Sequence, residues 1–222
     1  MAYNRTMHTT TTTIRQGTPE DDAAIVPIIN RSAPHLPPAS VARMRHHAAT
    51  TPAGATREFH LAERAGQVCA YAMLESRWWT DDPASFSLDL TVDPAVRGDG
   101  IGTRLYTQVL ERAATLQATQ LYAAVRDDLP AAARFAAARG FVPSGHTLRW
   151  ARLRVSHAPL AALDAVADSL EAAGNSIVAL AELDADEPLL RRVYEVDCES
   201  AQDEPAAQSY EPQPFEQWRT WI

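Results

Sequence analysis

The chain has 222 residues, 46% hydrophobic and 22% charged, a globular composition with length for one full domain and a remainder. No apolar run nears the roughly 20 residues of a membrane-spanning helix, and Cys69 and Cys198 form no spaced cluster of the kind that holds zinc or a disulfide framework. All 20 basic residues are arginine against 28 acids; residues 1–156 carry net +3 and residues 157–222 net −11, so no basic stripe for nucleic acid is present.

The polar, Thr-rich start, Met1 to Thr13, has no apolar h-region and is expected to be a disordered lead-in, with residues 1–12 outside the folded part. Ile14–Gln16 reads as a strand. Thr18-Pro19-Glu20-Asp21 then supplies a cap, a first-turn proline and first-turn acids for a helix through Asn30. After Pro34, Pro37 and Pro38 a second helix is expected over Ala39–Ala49. Phe59–Glu63 and Val68–Glu75 flank a Gly66 turn of hairpin length. Phe86, Leu88, Leu90 and Val92 alternate with Ser87, Asp89 and Thr91, the period of a strand. A helix over Thr103–Leu116, a strand over Leu121–Val125, a helix over Pro130–Arg139 and an extended Phe141–Val155 complete a domain assigned to 13–156. A hairpin meander feeding β-α-β units implies a mixed sheet covered by helices on both faces, an α/β (α+β) fold.

Chemistry concentrates between Val92 and Thr103. The chain leaves a strand, turns through Asp93-Pro94 and enters a helix by way of Arg97-Gly98-Asp99-Gly100-Ile101-Gly102. Alternating glycines let the backbone approach a ligand without a Cβ in the way. Successive N–H groups at a helix N-terminus form an anion cradle, and Arg97 adds a charge suited to phosphate oxygens. A Walker-A loop requires a lysine, which the chain lacks. A dinucleotide fingerprint requires G-x-G-x-x-G in the first β-α-β unit, whereas the spacing here is G-x-G-x-G after a meander.

The loop resembles the pyrophosphate loop of the GNAT superfamily of acyl-CoA-dependent N-acyltransferases, [R/Q]-x-x-G-x-[G/A], matched by Arg97, Gly100 and Gly102. The approach Leu88–Pro94, the exit Ile101-Gly102-Thr103 and the helix Leu129–Phe141 with its Gly-Phe ending are similar to that family, and the likeness covers residues 14–155 in order and spacing. It implies a mostly antiparallel twisted sheet and a soluble co-substrate, acetyl-CoA. Its pantetheine arm would lie along Leu90, Thr91 and Val92, and its pyrophosphate on the N–H groups of Arg97, Gly98, Asp99, Gly100, Ile101, Gly102 and Thr103. The acyl carbonyl would sit near the Val92 N–H. The implied reaction is direct attack of an amine on the thioester.

Two positions depart from the family pattern: Leu129 stands where many relatives have Asn, and Ala136 where many have the Tyr that protonates the leaving thiolate. Protonation by water, a donor from elsewhere, or a catalytically silent acyl-CoA-binding or interaction module are the readings this leaves. The weak candidate for a catalytic group is Asp89, on the strand face opposite Leu90 and Val92, where it either faces a substrate cleft or pairs with an arginine; the pairing is the reading preferred. Trp78-Trp79 borders an acceptor cleft or covers a hairpin tip. His35, His46 and His47 lack ligand spacing, so no metal is expected.

Residues 157–222 repeat the opening plan: a helix over Leu160–Ala173, a strand-like Ser176–Ala179, a helix over Asp184–Val196 and a short helix over Pro214–Trp221. This resembles the first strand and helices of a second GNAT unit, as in tandem-GNAT proteins, that then stops. A half unit cannot bury its own apolar face. It is expected to dock on the first domain or on a second copy, giving a homodimer. Sparse cysteine suits a reducing cytoplasm.

Overall fold

The computed structural model describes residues 11–80, 82–145, 147–149, 151, 153–154, 156, 160–183, 186–203 and 212–222. The chain forms two compact units, Met1–Val142 with Ser209–Ile222, and Pro143–Gln208. The first opens with β1 (Thr12–Gln16), a 3-10 turn Pro19–Asp21, α1 (Asp22–Ser32) and α2 (Val41–Thr50). The Thr18 N–H donates to the Asp21 carboxylate at 2.8 Å, half of a reciprocal cap. The Ser40 hydroxyl accepts the Arg43 N–H at 3.2 Å. It therefore caps α2 rather than joining it, and the helix starts later than the apolar pattern implies.

The hairpin of β2 (Arg57–Arg64) and β3 (Gln67–Ser76) closes through Ala65 and Gly66 at φ 52° and 74°, left-handed geometry that matches the twist of the strands. β4 (Ser85–Val92) pairs antiparallel with β3 and parallel with β5 (Gln120–Tyr122), and the sheet order is β1-β2-β3-β4-β5. Between those parallel neighbours runs α3 (Ile101–Thr115), the crossover that parallel pairing demands. α4 (Pro130–Ala137) follows β5.

Strand alternation splits the core in two. Ala70, Ala72 and Leu74 of β3 point with Phe86 and Leu88 toward Ile101, Leu105, Val109 and Ala113 of α3. Tyr71 points with Leu61 the other way, into Ile25, Ile28 and Met44 of α1 and α2. Leu105 has 0% of its surface exposed, so Leu105→Ala is expected to cost about 2–5 kcal/mol of stability, transfer and cavity together. The denaturation midpoint reads it.

Thr12 and Thr13, expected in the N-terminal lead, belong to β1, and three further segments differ from their sequence patterns. β5 stops at Tyr122 because its ladder with β4 covers only Ser85–Ser87; beyond that the strands part and Ala123–Val125 has nothing to pair with. Phe141–Val155 is not a strand over its described residues. Pro143 has no N–H to give a ladder, and Val142 and Leu148 are each 83% exposed. Ser176–Ala179 is irregular and runs into a 3-10 turn, Leu180–Glu182. An isolated extended segment has no hydrogen-bonded partner to hold it.

The unit Pro143–Gln208 contributes α5 (Leu160–Ala172) and α6 (Glu187–Gln202), the latter capped by the Asp186 carboxylate, which accepts the Leu189 N–H at 2.9 Å. Asp184, the expected start of that helix, lies outside the described residues, as do residues 1–10 of the N-terminal lead. The chain end returns to the first unit as α7 (Phe215–Trp218). Phe215 is buried there, and the Gln217 amide donates to the Thr50 carbonyl at 2.8 Å. The Trp221 ring lies 5.9 Å from that of Trp78. Among the described residues no helix is long and apolar enough to cross a membrane.

Candidate functional site

The divergence of β4 from β5 leaves one edge of β4 unpaired from Leu88 onward. The Asp93 N–H donates to the Cys69 carbonyl at 2.9 Å, so the main chain of Asp93 faces β3. Alternation then turns the main-chain groups of Leu88, Leu90 and Val92 into the gap. Those of Asp89 and Thr91 turn to β3, where Thr91 pairs with Tyr71. At the end of this open edge the Val92 carbonyl accepts the Arg97 Nε–H at 3.0 Å. Arg97 thus folds back over the strand end, and its other nitrogen reaches the Ser32 hydroxyl at 3.4 Å.

Beyond Arg97 the loop wraps the N-terminus of α3. Gly98 and Gly100 take φ values of 93° and 77°, a region that residues with a Cβ avoid. Nothing lies within 4 Å of where either Cβ would sit, so backbone conformation, not crowding, demands glycine here. Gly102 has ordinary φ, and a Cβ there would touch Phe135 and Val92 at 3.4 Å. The first intrahelical bond runs from Arg104 N–H to Gly100 C=O, 3.1 Å. Among the described residues no acceptor is recorded for the N–H groups of Gly98 through Thr103. Bare amides at a helix N-terminus attract an anion.

Arginines pin this loop. Arg64 bonds the Asp99 carboxylate at 2.6 Å and Arg104 the Thr12 carbonyl at 2.8 Å. Arg139 lies 3.4 Å above the Phe135 ring and donates to the Thr103 hydroxyl at 2.6 Å, placing a cation beside the helix start. Neither Arg64 nor Arg139 was legible from motif spacing; in a chain whose only basic residue is arginine, single arginines carry little signal.

On the opposite face of β4 sits Asp89. Its carboxylate accepts the Tyr71 hydroxyl at 2.8 Å and the Thr91 hydroxyl at 3.2 Å. The arginine pairing preferred from sequence is not what forms: among the described residues Asp89 takes part in no ion pair, because the neighbouring β3 side chain on this face is a tyrosine. Solvent reaches Asp89, yet protein surrounds it closely enough that desolvation raises its carboxyl above the usual range. Burial, reinforced by the adjacent carboxylate, pushes the Tyr71 hydroxyl upward, so it remains a donor.

The tryptophans serve the hairpin tip. Trp78 and Trp79 meet edge to face at 5.1 Å, and Trp221 closes on Trp78, His46 and His47. No group of three or more His, Cys, Asp or Glu side chains is arranged to hold a metal among the described residues. Leu129 stands at the N-cap of α4 with no side-chain cap bond, and Ala136 carries only a methyl.

The sequence pattern of the acetyltransferase (GNAT) family matches residues 24–141, more than half of the chain. The chain belongs to the GNAT family. A search of curated proteins finds no match. Among solved structures, a transcriptional regulator from Bacillus halodurans C-125 is 19% identical, with a TM-score of 0.53 over 64% of this chain and 100% of the other. A ribosomal-protein-alanine N-acetyltransferase from Brucella melitensis is 24% identical, with a TM-score of 0.51 over 58% of this chain and 83% of the other. These likenesses show the fold. Membership of the GNAT family assigns acetyl transfer from acetyl-CoA, and the free amides at Gly98–Thr103 together with the open β4 edge suit that co-substrate.

Proposed function

We propose that this chain is an N-acetyltransferase whose active centre is the gap between β4 and β5, with Asp89 as its proton acceptor. The observation that carries the reading is the joining of two features at one strand end: the main-chain groups of Leu90 and the N–H of Val92, which meet no neighbouring strand, and, among the described residues, unpaired amides from Gly98 to Thr103. Leu90 and Val92 would hold the pantetheine arm, and Arg97, Gly98, Asp99, Gly100, Ile101, Gly102 and Thr103 the pyrophosphate; Thr91, whose main chain turns to β3, would contribute no main-chain bond. The Val92 N–H would donate to the acyl oxygen.

Acetyl-CoA supplies an activated acyl carbon, so that a C–N bond forms as the C–S bond breaks. An ammonium entering from the α1 side gives one proton to Asp89 and becomes nucleophilic; a second proton leaves nitrogen as the amide forms and neutralises the thiolate. Neither Leu129 nor Ala136 takes part, since neither side chain carries a proton to give. Tyr71 and Thr91 keep the Asp89 carboxylate oriented.

Titration calorimetry with acetyl-CoA, followed by thiol release over a panel of amines, tests the reading. Binding with turnover supports it; binding without turnover on any amine favours a silent acyl-CoA-binding module instead, the outcome that Ala136 would favour. Arg139→Ala is expected to weaken acetyl-CoA binding about tenfold, the worth of one charge-assisted hydrogen bond. The same reading takes the protein as a cytoplasmic homodimer. Residues 157–222 carry net −11 against +3 for the rest, and Ile177, Val178 and Val196 are exposed apolar side chains suited to a second copy. A monomer mass in solution overturns that part.

A further inference from the structure

The α1 face of the β4–β5 gap carries an arrangement that the proposed acetyl transfer uses only in part. Ser87 pairs with Tyr122 where the strands still touch, and alternation puts Asp89 and Thr91 on the same side further along β4. Past Tyr122 the chain runs unpaired to Arg126, whose Nη1–H donates to the Ser32 carbonyl at 2.8 Å. From the other bank Arg97 reaches the hydroxyl of the same serine at 3.4 Å. Ser32 is the last residue of α1. The end of α1 is therefore held from the loops that follow both strands.

Around it the charges are unequally matched. Among the described residues Asp89 is bonded only by two neutral hydroxyls, those of Tyr71 and Thr91. Arg31 is committed to Asp93, whose side chain is 15% exposed. Arg126 is paired instead with Asp128, two residues away in its own loop, through two bonds of 2.8 and 2.5 Å, and the Asp128 side chain is 67% exposed. Such an exposed pair contributes little to stability. Asp128 holds the fork of Arg126 in the geometry that any carboxylate would use, and an incoming carboxylate displaces it at small cost. The gap thus offers a carboxylate without a cation on one bank and a guanidinium with a replaceable partner on the other.

We propose that the acceptor is a primary amine that also bears a carboxylate, its ammonium received at Asp89 and its carboxylate at Arg126 in place of Asp128. The inference rests on the reading of the gap as an acetyl-transfer site. Two anchors on opposite banks fix the amine's direction of approach, which one charge contact does not. Asp128 then acts as a stand-in that an incoming carboxylate replaces. The carboxylate belongs either to a free amino acid or to an acidic residue beside a polypeptide's N-terminal amine; the chemistry recognised is the same.

The full-length chain is assayed for thiol release from acetyl-CoA with glycine, β-alanine, 4-aminobutyrate and glutamate, each beside its amide, and with a short peptide carrying aspartate next to its N-terminal amine. At least one acid is expected to exceed its amide about tenfold in kcat/KM. Arg126→Met is expected to bring that ratio near one, Arg126→Lys to restore part of it, and Asp128→Asn to raise kcat/KM for the acid several-fold. Loss of the Ser32 tie alone would slow acid and amide together and leave the ratio intact. A preference for the acidic peptide supports the charge match and assigns the carboxylate to a polypeptide. Ratios near one throughout the wild-type panel, or a ratio unmoved by Arg126→Met, overturn the proposal. Titration of the same pairs into protein saturated with coenzyme A reads the preference without turnover, and equal affinities there overturn it too. Absence of heat with acetyl-CoA itself would refute the acetyl-transfer reading instead.

Discussion

Gly100→Val is expected to remove measurable acetyl-CoA binding while leaving the fold in place. The backbone at Gly100 has φ 77°, and left-handed geometry costs an L-residue roughly 1–2 kcal/mol, more for a β-branched one. No atom lies within 4 Å of the missing Cβ, so the penalty does not come from a clash that the rest of the protein would feel. The chain relieves it by rotating the peptide planes around Gly100, and those planes carry the unpaired N–H groups proposed to face the pyrophosphate. A loss of more than about 100-fold, near 3 kcal/mol, follows from misaiming two or three charge-assisted hydrogen bonds. Calorimetry measures it and a thermal melt checks the fold. Gly100→Asn separates the two explanations, because asparagine tolerates the left-handed region and should retain most of the affinity. Equal loss for valine and asparagine would mean that the side chain blocks the site and that conformation is not the cause.

The shape of the loop was legible because it is written in local chemistry: a strand with period-two alternation, an Asp-Pro turn, and glycines at Gly98 and Gly100, where other residues are strained. The hairpin at Gly66 and the α3 crossover were legible for the same reason. What escaped depends on distance in space. Leu121–Val125 carries the composition of a full strand, yet β5 ends at Tyr122 because β4 turns away, and that divergence creates the gap. Phe141–Val155 has strand-forming residues, but Pro143 near its start has no N–H to give a ladder. The partner of Asp89 comes from Tyr71, 18 residues earlier, through the β3–β4 register. Arg126 and Arg139 gain meaning only from Ser32 and Thr103, at separations of 94 and 36 residues. The chain end echoes an opening helix in sequence, yet Phe215 and Trp221 lie against the first unit, covering the tip where Trp78 and Trp79 sit.

Asp89→Asn is expected to lower kcat about 100-fold or more with acetyl-CoA affinity unchanged, the range of a lost general base. The amide keeps the shape of the side chain and accepts a hydrogen bond, but it cannot take a proton from an ammonium. Desolvation raises the Asp89 carboxyl above its ordinary value, so the base becomes protonated, and catalysis fades, at a pH higher than an unperturbed carboxylate of about 3.9 would give. Tyr71→Phe provides the sign test. Its hydroxyl donates to Asp89 and favours the ionised form; without it the carboxyl rises further and the acid limb of kcat/KM moves to higher pH. A purely structural Tyr71 would change the height of that profile and not its position. Should Asp89→Asn keep the wild-type kcat and the same acid limb, proton transfer must pass through solvent, and Asp89 would be left as an attractive charge for the incoming amine.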